Sequence, residues 1–280
     1  MSHSATLGAA SDSLLGKSTP YCSQYDSSLL FPILRQQKRD ELGIDASALP
    51  FSGLDIWTGF EISWLNTKGK PIAVIAEFAF QVDSPNLVES KSFKLYLNSF
   101  NGTRFDSQEE VEALMVKDLT EVSGADVDVQ IRSLDEQETL LGSLAGTNLD
   151  DLDIEVTNYS VNNSLLTVDK SAEYVTETVN SHLLKSNCLV TGQPDWGSVV
   201  ISYDGLEINK EGLLKYLISF REHNEFHEQC VERIFTDIMS QCKPDNLTVY
   251  ARYVRRGGLD INPYRSNFED EFDISRTLRQ

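Results

Sequence analysis

The sequence predicts an α+β protein whose antiparallel sheets carry helices on one face. Three observations predict it. Strands come in directly joined pairs followed by paired helices, an order that builds antiparallel sheet under a helical layer. That order occurs twice along the 280 residues. With it, Tyr96-Leu-Asn-Ser-Phe100 returns as Tyr216-Leu-Ile-Ser-Phe220, so the halves read as a duplication. Finally, no G-x-G-x-x-G occurs, and a doubly wound dinucleotide fold would need alternating strands and helices.

Residues 1–45 read as an N-terminal extension, polar at first and then helical in pattern around Leu29 to Leu42. The first module spans 46–140. Leu54–Trp64 and Pro71–Gln81 form a strand pair around the turn Asn66-Thr-Lys-Gly-Lys70, where Gly69 can take a positive φ. A helix follows over Val88–Phe100, with Phe93, Leu97 and Phe100 on one face. A second helix, Ser107–Val122, opens on the capping-box pattern Ser107-Gln-Glu-Glu110. Asp126–Ile131 alternates with period two and closes the module as a strand.

Residues 141–175 form a connector, acidic and weakly patterned over 142–153. The second module, 176–280, repeats the order. Strands are expected around His182–Val190 and Gly197–Tyr203, helices over Lys210–His223 and Phe226–Cys242, and a strand over Asn246–Val254. Thr58-Gly59 in the first strand pair is echoed by Thr191-Gly192 in the second.

Composition narrows the function. The 43 acidic and 24 basic side chains give a net charge of -19, and a surface this acidic repels phosphate backbones, which argues against nucleic acid as a partner. An anionic cofactor needs a local basic cluster, and the one dense cluster is Arg252, Arg255 and Arg256. No apolar run approaches the ~18 residues of a membrane span. The start lacks a basic, then apolar, secretory pattern. The 4 cysteines form no C-x-x-C pair and have no zinc-type spacing, so free thiols in a reducing cytoplasm are expected and no metal.

A few residues could carry chemistry. Cys188 ends a predicted strand before the turn residues Gly192, Pro194 and Gly197, where a substrate could reach it. Asp195 lies across that turn and could take the proton that a thiol must lose to become a nucleophile. Phe226-His227-Glu228 opens a helix, with a near-neutral base and a carboxylate able to accept two parallel hydrogen bonds. His223 competes for the histidine role, and His182 has no catalytic context. Glu89, Ser90 and Lys91 open the first module's first helix, a place suited to an anion. Taken singly, each has a plain alternative: a buried structural cysteine, a turn-capping aspartate, a solvated helix start. The two halves diverge in complementary ways, one bearing the cysteine and the other the Glu-Ser-Lys start, which suggests one shared site.

Four segments, in order, then resemble a known family. Glu89-Ser-Lys-Ser-Phe-Lys-Leu-Tyr96 looks like the QueF signature E-[SL]-K-[SA]-h-K-[LY]-[YFW], where h is hydrophobic. Ser186-Asn-Cys-Leu-Val-Thr-Gly-Gln-Pro-Asp-Trp-Gly197 resembles its nucleophile region, and Phe226-His-Glu228 and Arg255-Arg-Gly-Gly-Leu-Asp-Ile-Asn-Pro263 resemble two more segments. The family reduces 7-cyano-7-deazaguanine on the way to queuosine in transfer RNA. The resemblance implies two tandem tunnelling-fold modules, a homodimer, and NADPH as cofactor. It implies Cys188 as nucleophile and Asp195 as proton-transfer residue, assisted by His227. Leu87, Val88, Glu89, Phe226, His227 and Glu228 would hold the deazaguanine, and Ser90, Lys91, Arg256 and Gly257 would contact NADPH. The rival reading is a tunnelling-fold purine- or pterin-binding protein, or a cyclohydrolase relative.

Overall fold

The computed structural model describes residues 21–135, 141–169, 171–269 and 276–280. The first twenty residues of the expected extension lie outside them. The described chain divides into two compact units. Unit 1 holds residues 21–48, 54–135 and 255–260; unit 2 holds 49–53, 141–169, 171–254, 261–269 and 276–280.

Unit 1 contains β1 (Pro32–Leu34), α1 (Gln36–Leu42), β2 (Ser52–Leu65, from Leu54), β3 (Pro71–Gln81), β4 (Asn86–Val88), α2 (Ser90–Ser99), α3 (Gln108–Ser123) and β5 (Val127–Ser133). Its strands β2, β3 and β5 pair antiparallel with β3 in the middle. Alternation along β3 sends Val74, Ala76, Phe78 and Phe80 to one buried face. There Phe93 of α2 meets Phe78, Trp57 and Phe80 at ring-centroid distances of 5.0, 5.3 and 6.4 Å. Gly69 takes φ 81 in the β2–β3 turn, as expected. Ser107 caps α3 by accepting from the Glu110 N–H, but the Glu110 carboxylate reaches back to the N–H of Asp106, one residue beyond a standard capping box.

The helix expected from Leu29 begins only at Gln36, because Pro32–Leu34 pairs as a strand with β4. The same pairing delays the next helix, expected from Val88, to Ser90. The described part of the extension is thus built into unit 1. Arg35 makes a buried ion pair of 2.7 Å with Asp55, and the Tyr25 ring packs edge-on against Phe100 at 5.2 Å.

Unit 2 contains β6 (Thr147–Asn148), β7 (Tyr174–Asn187), β8 (Pro194–Leu206), α4 (Lys210–Ile218), α5 (His227–Gln241), β9 (Asn246–Tyr253) and β10 (Leu259–Ser266, from Ile261). Strands β7, β8, β9 and β10 pair antiparallel in that order, and β6 adds to β7 in parallel. Val199, Ile201 and Tyr203 of β8 are buried and alternate with half-exposed Val200, Ser202 and Asp204. On α5, Cys230, Val231, Ile234, Phe235 and Ile238 repeat at helical spacing and are fully buried. The strand expected at Gly197 starts at Pro194, so Gly197 is a strand residue and not part of the turn. The strand expected at His182–Val190 starts at Tyr174 and stops at Asn187. The helix expected to run to His223 stops at Ile218 and tightens into a 3-10 turn over Ser219–Glu222.

The duplication extends to side-chain detail. Tyr96 stacks edge-on with Phe100 at 5.1 Å, and Tyr216 does so with Phe220 at 5.3 Å. The Tyr96 hydroxyl donates to Asp118 of α3 at 2.8 Å; the Tyr216 hydroxyl donates to Asp237 of α5 at 2.6 Å. Ser99 and Ser219 each donate to the carbonyl three residues back, both at 2.6 Å. The Thr-Gly echo does not hold. Gly59 lies within β2, whereas Gly192 is a turn residue at φ 66. The true counterpart of the Gly59/Ile62 irregularity in β2 is the one between Ser181 and Leu184 in β7.

Candidate active site

In unit 2 the cysteine stands where strand pairing gives out. Cys188 follows the last residue of β7, and a tight loop returns the chain to β8. Its N–H donates to the Gln193 carbonyl at 2.8 Å and its carbonyl accepts from Gly192 at 3.0 Å. The positive φ of Gly192 lets the loop close in so few residues. The side chain is 8% exposed, so it is sheltered but not sealed.

Asn187, one residue earlier, ties this loop to the approach to α5. Its N–H donates to the His223 carbonyl, its carbonyl accepts from Glu225, and its amide donates to Asn224 at 3.0 Å. That ladder brings Phe226, His227 and Glu228 to the same end of the sheet. Beneath it, Glu225 is 2% exposed and bound by both Arg233, at 2.7 Å, and His223, at 2.9 Å. Burial pushes its carboxyl up, but hydrogen bonds from His223 and Arg233 outweigh it and hold the group near 2. His223 is therefore a structural partner of Glu225. His227 instead turns its Nε2 toward Asp195 Oδ2 at 3.4 Å. The two histidines thus meet different carboxylates, His223 meeting Glu225 and His227 meeting Asp195. His182 is exposed, with Nδ1 2.9 Å from the Ser198 hydroxyl.

Asp195 sits at the second position of β8, opposite Ser186 of β7, and is 5% exposed. Glu228, in the first turn of α5, is 3% exposed. A thiol at a loop, a carboxylate–imidazole pair and a buried carboxylate thus occupy one end of unit 2. The set can move a proton to and from a sulfur nucleophile.

Unit 1 presents a different set. The pairing of β1 with β4 places Ile33 opposite Leu87 and Pro32 opposite Val88. The next N–H, that of Glu89, donates to the Phe31 carbonyl at 2.9 Å. Leu87, Val88 and Glu89 are therefore held by the N-terminal segment. The Glu89 carboxylate caps α2, accepting from the N–H groups of Lys91 and Ser92, both at 2.8 Å. Burial raises its pKa, opposed by those two bonds and by Lys94 and Lys91. Two of the helix-start amides are thus taken by Glu89, and the first turns of α2 also carry Ser90, Lys91 and Lys94. The two-residue turn Gly257-Gly258, with φ 60 and 77, closes between Arg256 and Leu259. A Cβ on Gly257 would lie 3.4 Å from Lys94 Cδ, so this turn stands beside α2. Arg255 lies over the Phe60 ring at 4.4 Å. Within unit 1, Lys94 thus stands beside a glycine turn that Arg255 and Arg256 precede in sequence, a local concentration of positive charge.

Sequence reasoning missed Glu225, Arg233 and the role of β1, because none is signalled by spacing. It also missed β10, although Gly257-Gly258 between two apolar runs is a hairpin signal. Among the described residues no three His, Cys, Asp or Glu side chains gather as metal ligands would, and no helix is long and apolar enough to cross a membrane.

Comparison with known proteins adds a second line. Residues 21–131 match the family described as nitrile reductase, 7-cyano-7-deazaguanine-reductase N-term (QueF_N), and residues 194–271 match the QueF-like protein family. The NADPH-dependent 7-cyano-7-deazaguanine reductase of Hydrogenovibrio crunogenus is 65% identical over 271 residues, covering 97% of this chain and 98% of its own. The protein of that name from Ralstonia nicotianae is 60% identical over 269 residues, covering 95% and 97%. That from Chromobacterium violaceum is 58% identical over 269 residues, covering 95% and 96%.

Proposed function

The chain belongs to the QueF family of 7-cyano-7-deazaguanine reductases, and from that membership we infer that it reduces the nitrile of 7-cyano-7-deazaguanine to an aminomethyl group with NADPH. The observation that carries the chemical reading is the loop thiol of Cys188 at the end of the sheet that also presents the Asp195–His227 pair.

A nitrile carbon is a weak electrophile. Addition of the Cys188 sulfur to that carbon breaks one C–N π bond and forms a thioimide, with no leaving group. Asp195 takes the thiol proton and delivers it to the nitrile nitrogen, so charge does not build on an unprotected atom. NADPH, when bound, supplies hydride to the carbon, once for each of the two C–N unsaturations. Between the two reductions the carbon–sulfur bond breaks, Cys188 recovers its thiol, and an imine remains bound, shielded from hydrolysis by exclusion of water. His227, against Asp195, assists the return of protons to nitrogen.

Glu89 and Glu228 are carboxylates suited to the adjacent N–H donors of the deazaguanine ring, with Leu87, Val88 and Phe226 packing beside it. Ser90, Lys91, Arg256 and Gly257 would contact the cofactor, and Lys94, beside Gly257, joins the cationic set. The same reading gives two tunnelling-fold modules per chain, a homodimer, a cytoplasmic location, a place in queuosine biosynthesis, and no nucleic acid or membrane as partner. The described cysteines are all free, in keeping with a reducing compartment.

The test is covalent capture. Mixed with 7-cyano-7-deazaguanine and no NADPH, the parent is expected to gain the mass of one intact nitrile molecule per chain, and Cys188→Ala to gain nothing. A parent that gains no mass, or an adduct that persists in Cys188→Ala, would remove Cys188 from the reaction.

A further inference from the structure

His227 arrives from α5, yet the sheet decides where its ring lies. Asp195 and Gly197 are two residues apart on β8 and so face the same side. The imidazole meets Asp195 at 3.4 Å and lies flat on the Tyr253 ring, with centroids 3.9 Å apart and planes 16° apart. Tyr253 is the residue of β9 directly opposite Gly197. A Cβ on Gly197 would lie 3.1 and 3.2 Å from Tyr253 Cε1 and Cδ1. The left-handed conformation that favours glycine is not used at this position. Glycine is needed there for space: without a side chain, β8 lets the tyrosine ring settle onto the strand. Two further bonds fix the backbone of this pair. Arg279 donates to the Gly197 carbonyl, and the Gln280 side chain donates to that of Tyr253 at 3.4 Å.

The phenol is fully buried beside Ser186 and Cys230, and burial pushes its pKa well above the ordinary value, so the ring stays a neutral platform. We propose that Tyr253, seated on Gly197, is a positioning residue that holds His227 against Asp195 for proton transfer during nitrile reduction. The proposal rests on the reading of His227 and Asp195 given above. A flat stack fixes the tilt of the imidazole, and its contact with Asp195 is already at the long end for a hydrogen bond. A small rotation would break it.

The test compares kcat and KM for the nitrile in Tyr253→Leu, Tyr253→Phe, His227→Ala and the Tyr253→Leu/His227→Ala pair. Loss of the stack in Tyr253→Leu is expected to lower kcat by about tenfold or more with little change in KM, since misplacing a reacting group costs rate. Tyr253→Phe keeps the ring and restores the rate. In the His227→Ala background, Tyr253→Leu costs nothing further, because the group it positions is gone. A parental kcat in Tyr253→Leu, or an equal loss with and without His227, would overturn the proposal. Parental turnover by His227→Ala would instead remove His227 from the mechanism, and the proposal with it, whatever Tyr253→Leu shows. Should Tyr253→Leu not fold, Gly197→Ala carries the same comparison, because its Cβ must displace the ring.

Discussion

Three of the cysteines, Cys188, Cys230 and Cys242, are buried, and exposure alone does not tell them apart. Their surroundings do. Cys230 is packed inside α5, and burial pushes its thiol well above the ordinary value; burial raises Cys242 to about 11. Both stay protonated at neutral pH, and the thiol form is a poor nucleophile. Cys188 lies in a loop between β7 and β8, with its backbone bonded to Gln193 and Gly192. Brief treatment of the native protein with iodoacetamide at pH 8 is therefore expected to spare Cys230 and Cys242, and prior addition of the nitrile to abolish labelling of Cys188. Labelling of Cys230 ahead of Cys188 in peptide mass analysis would contradict this. At this scale the candidate residues were legible in the sequence. Cys188, Asp195 and the Glu89 motif each have a plain alternative when taken singly and stand out as candidates only through the four segments that resemble the family in order. The different surroundings of the two histidines were not legible, because His223 and His227 are four residues apart and their contacts to Glu225 and Asp195 show only in the fold.

At the scale of elements, the approach to α5 is anchored by a buried charge. Glu225 has an ordinary pKa of 4.5 and is held near 2 by His223 and Arg233 against the cost of burial. A carboxylate with a lowered folded pKa stabilises the fold above its unfolded value and loses that contribution as pH falls through the folded one. The window is therefore about 4.5 down to about 2, and the shift corresponds to about 3 kcal/mol. Thermal unfolding is expected to show a Tm falling through that window in the parent. Glu225→Gln should have a lower Tm at neutral pH, having lost its charged bonds to Arg233 and His223, and a flatter acid limb. Equal slopes in both proteins would show that the pair does not carry this dependence. Most elements were legible because their burial is periodic: β3 and β8 alternate, and α5 repeats at helical spacing. The errors came where pairing overrode local pattern. Pro32–Leu34 reads as helix until β4 captures it, and β10, buried at every position, has no alternation to read.

For the whole molecule, duplication is the organising fact, and it was visible from a five-residue match that agreed with the repeated order of elements. The match marks a Tyr–Asp hydrogen bond and an aromatic pair that recur in both units, so it records packing and not function. The candidate site residues lie where the copies differ. Unit 2 carries the loop thiol and the Asp195–His227 pair; unit 1 carries the Glu89 cap and Lys94 beside the Gly257 turn. A net charge of -19 makes a local concentration of cations conspicuous.

The central claim is a four-electron reduction of a nitrile. Its most direct test is to follow NADPH absorbance while a limiting, known amount of 7-cyano-7-deazaguanine is consumed. Two NADPH oxidised per nitrile, with the aminomethyl product formed in equal amount to nitrile lost, is the predicted result. No NADPH oxidation by the folded protein, or one NADPH per nitrile with the reaction stopping at the imine, would contradict it.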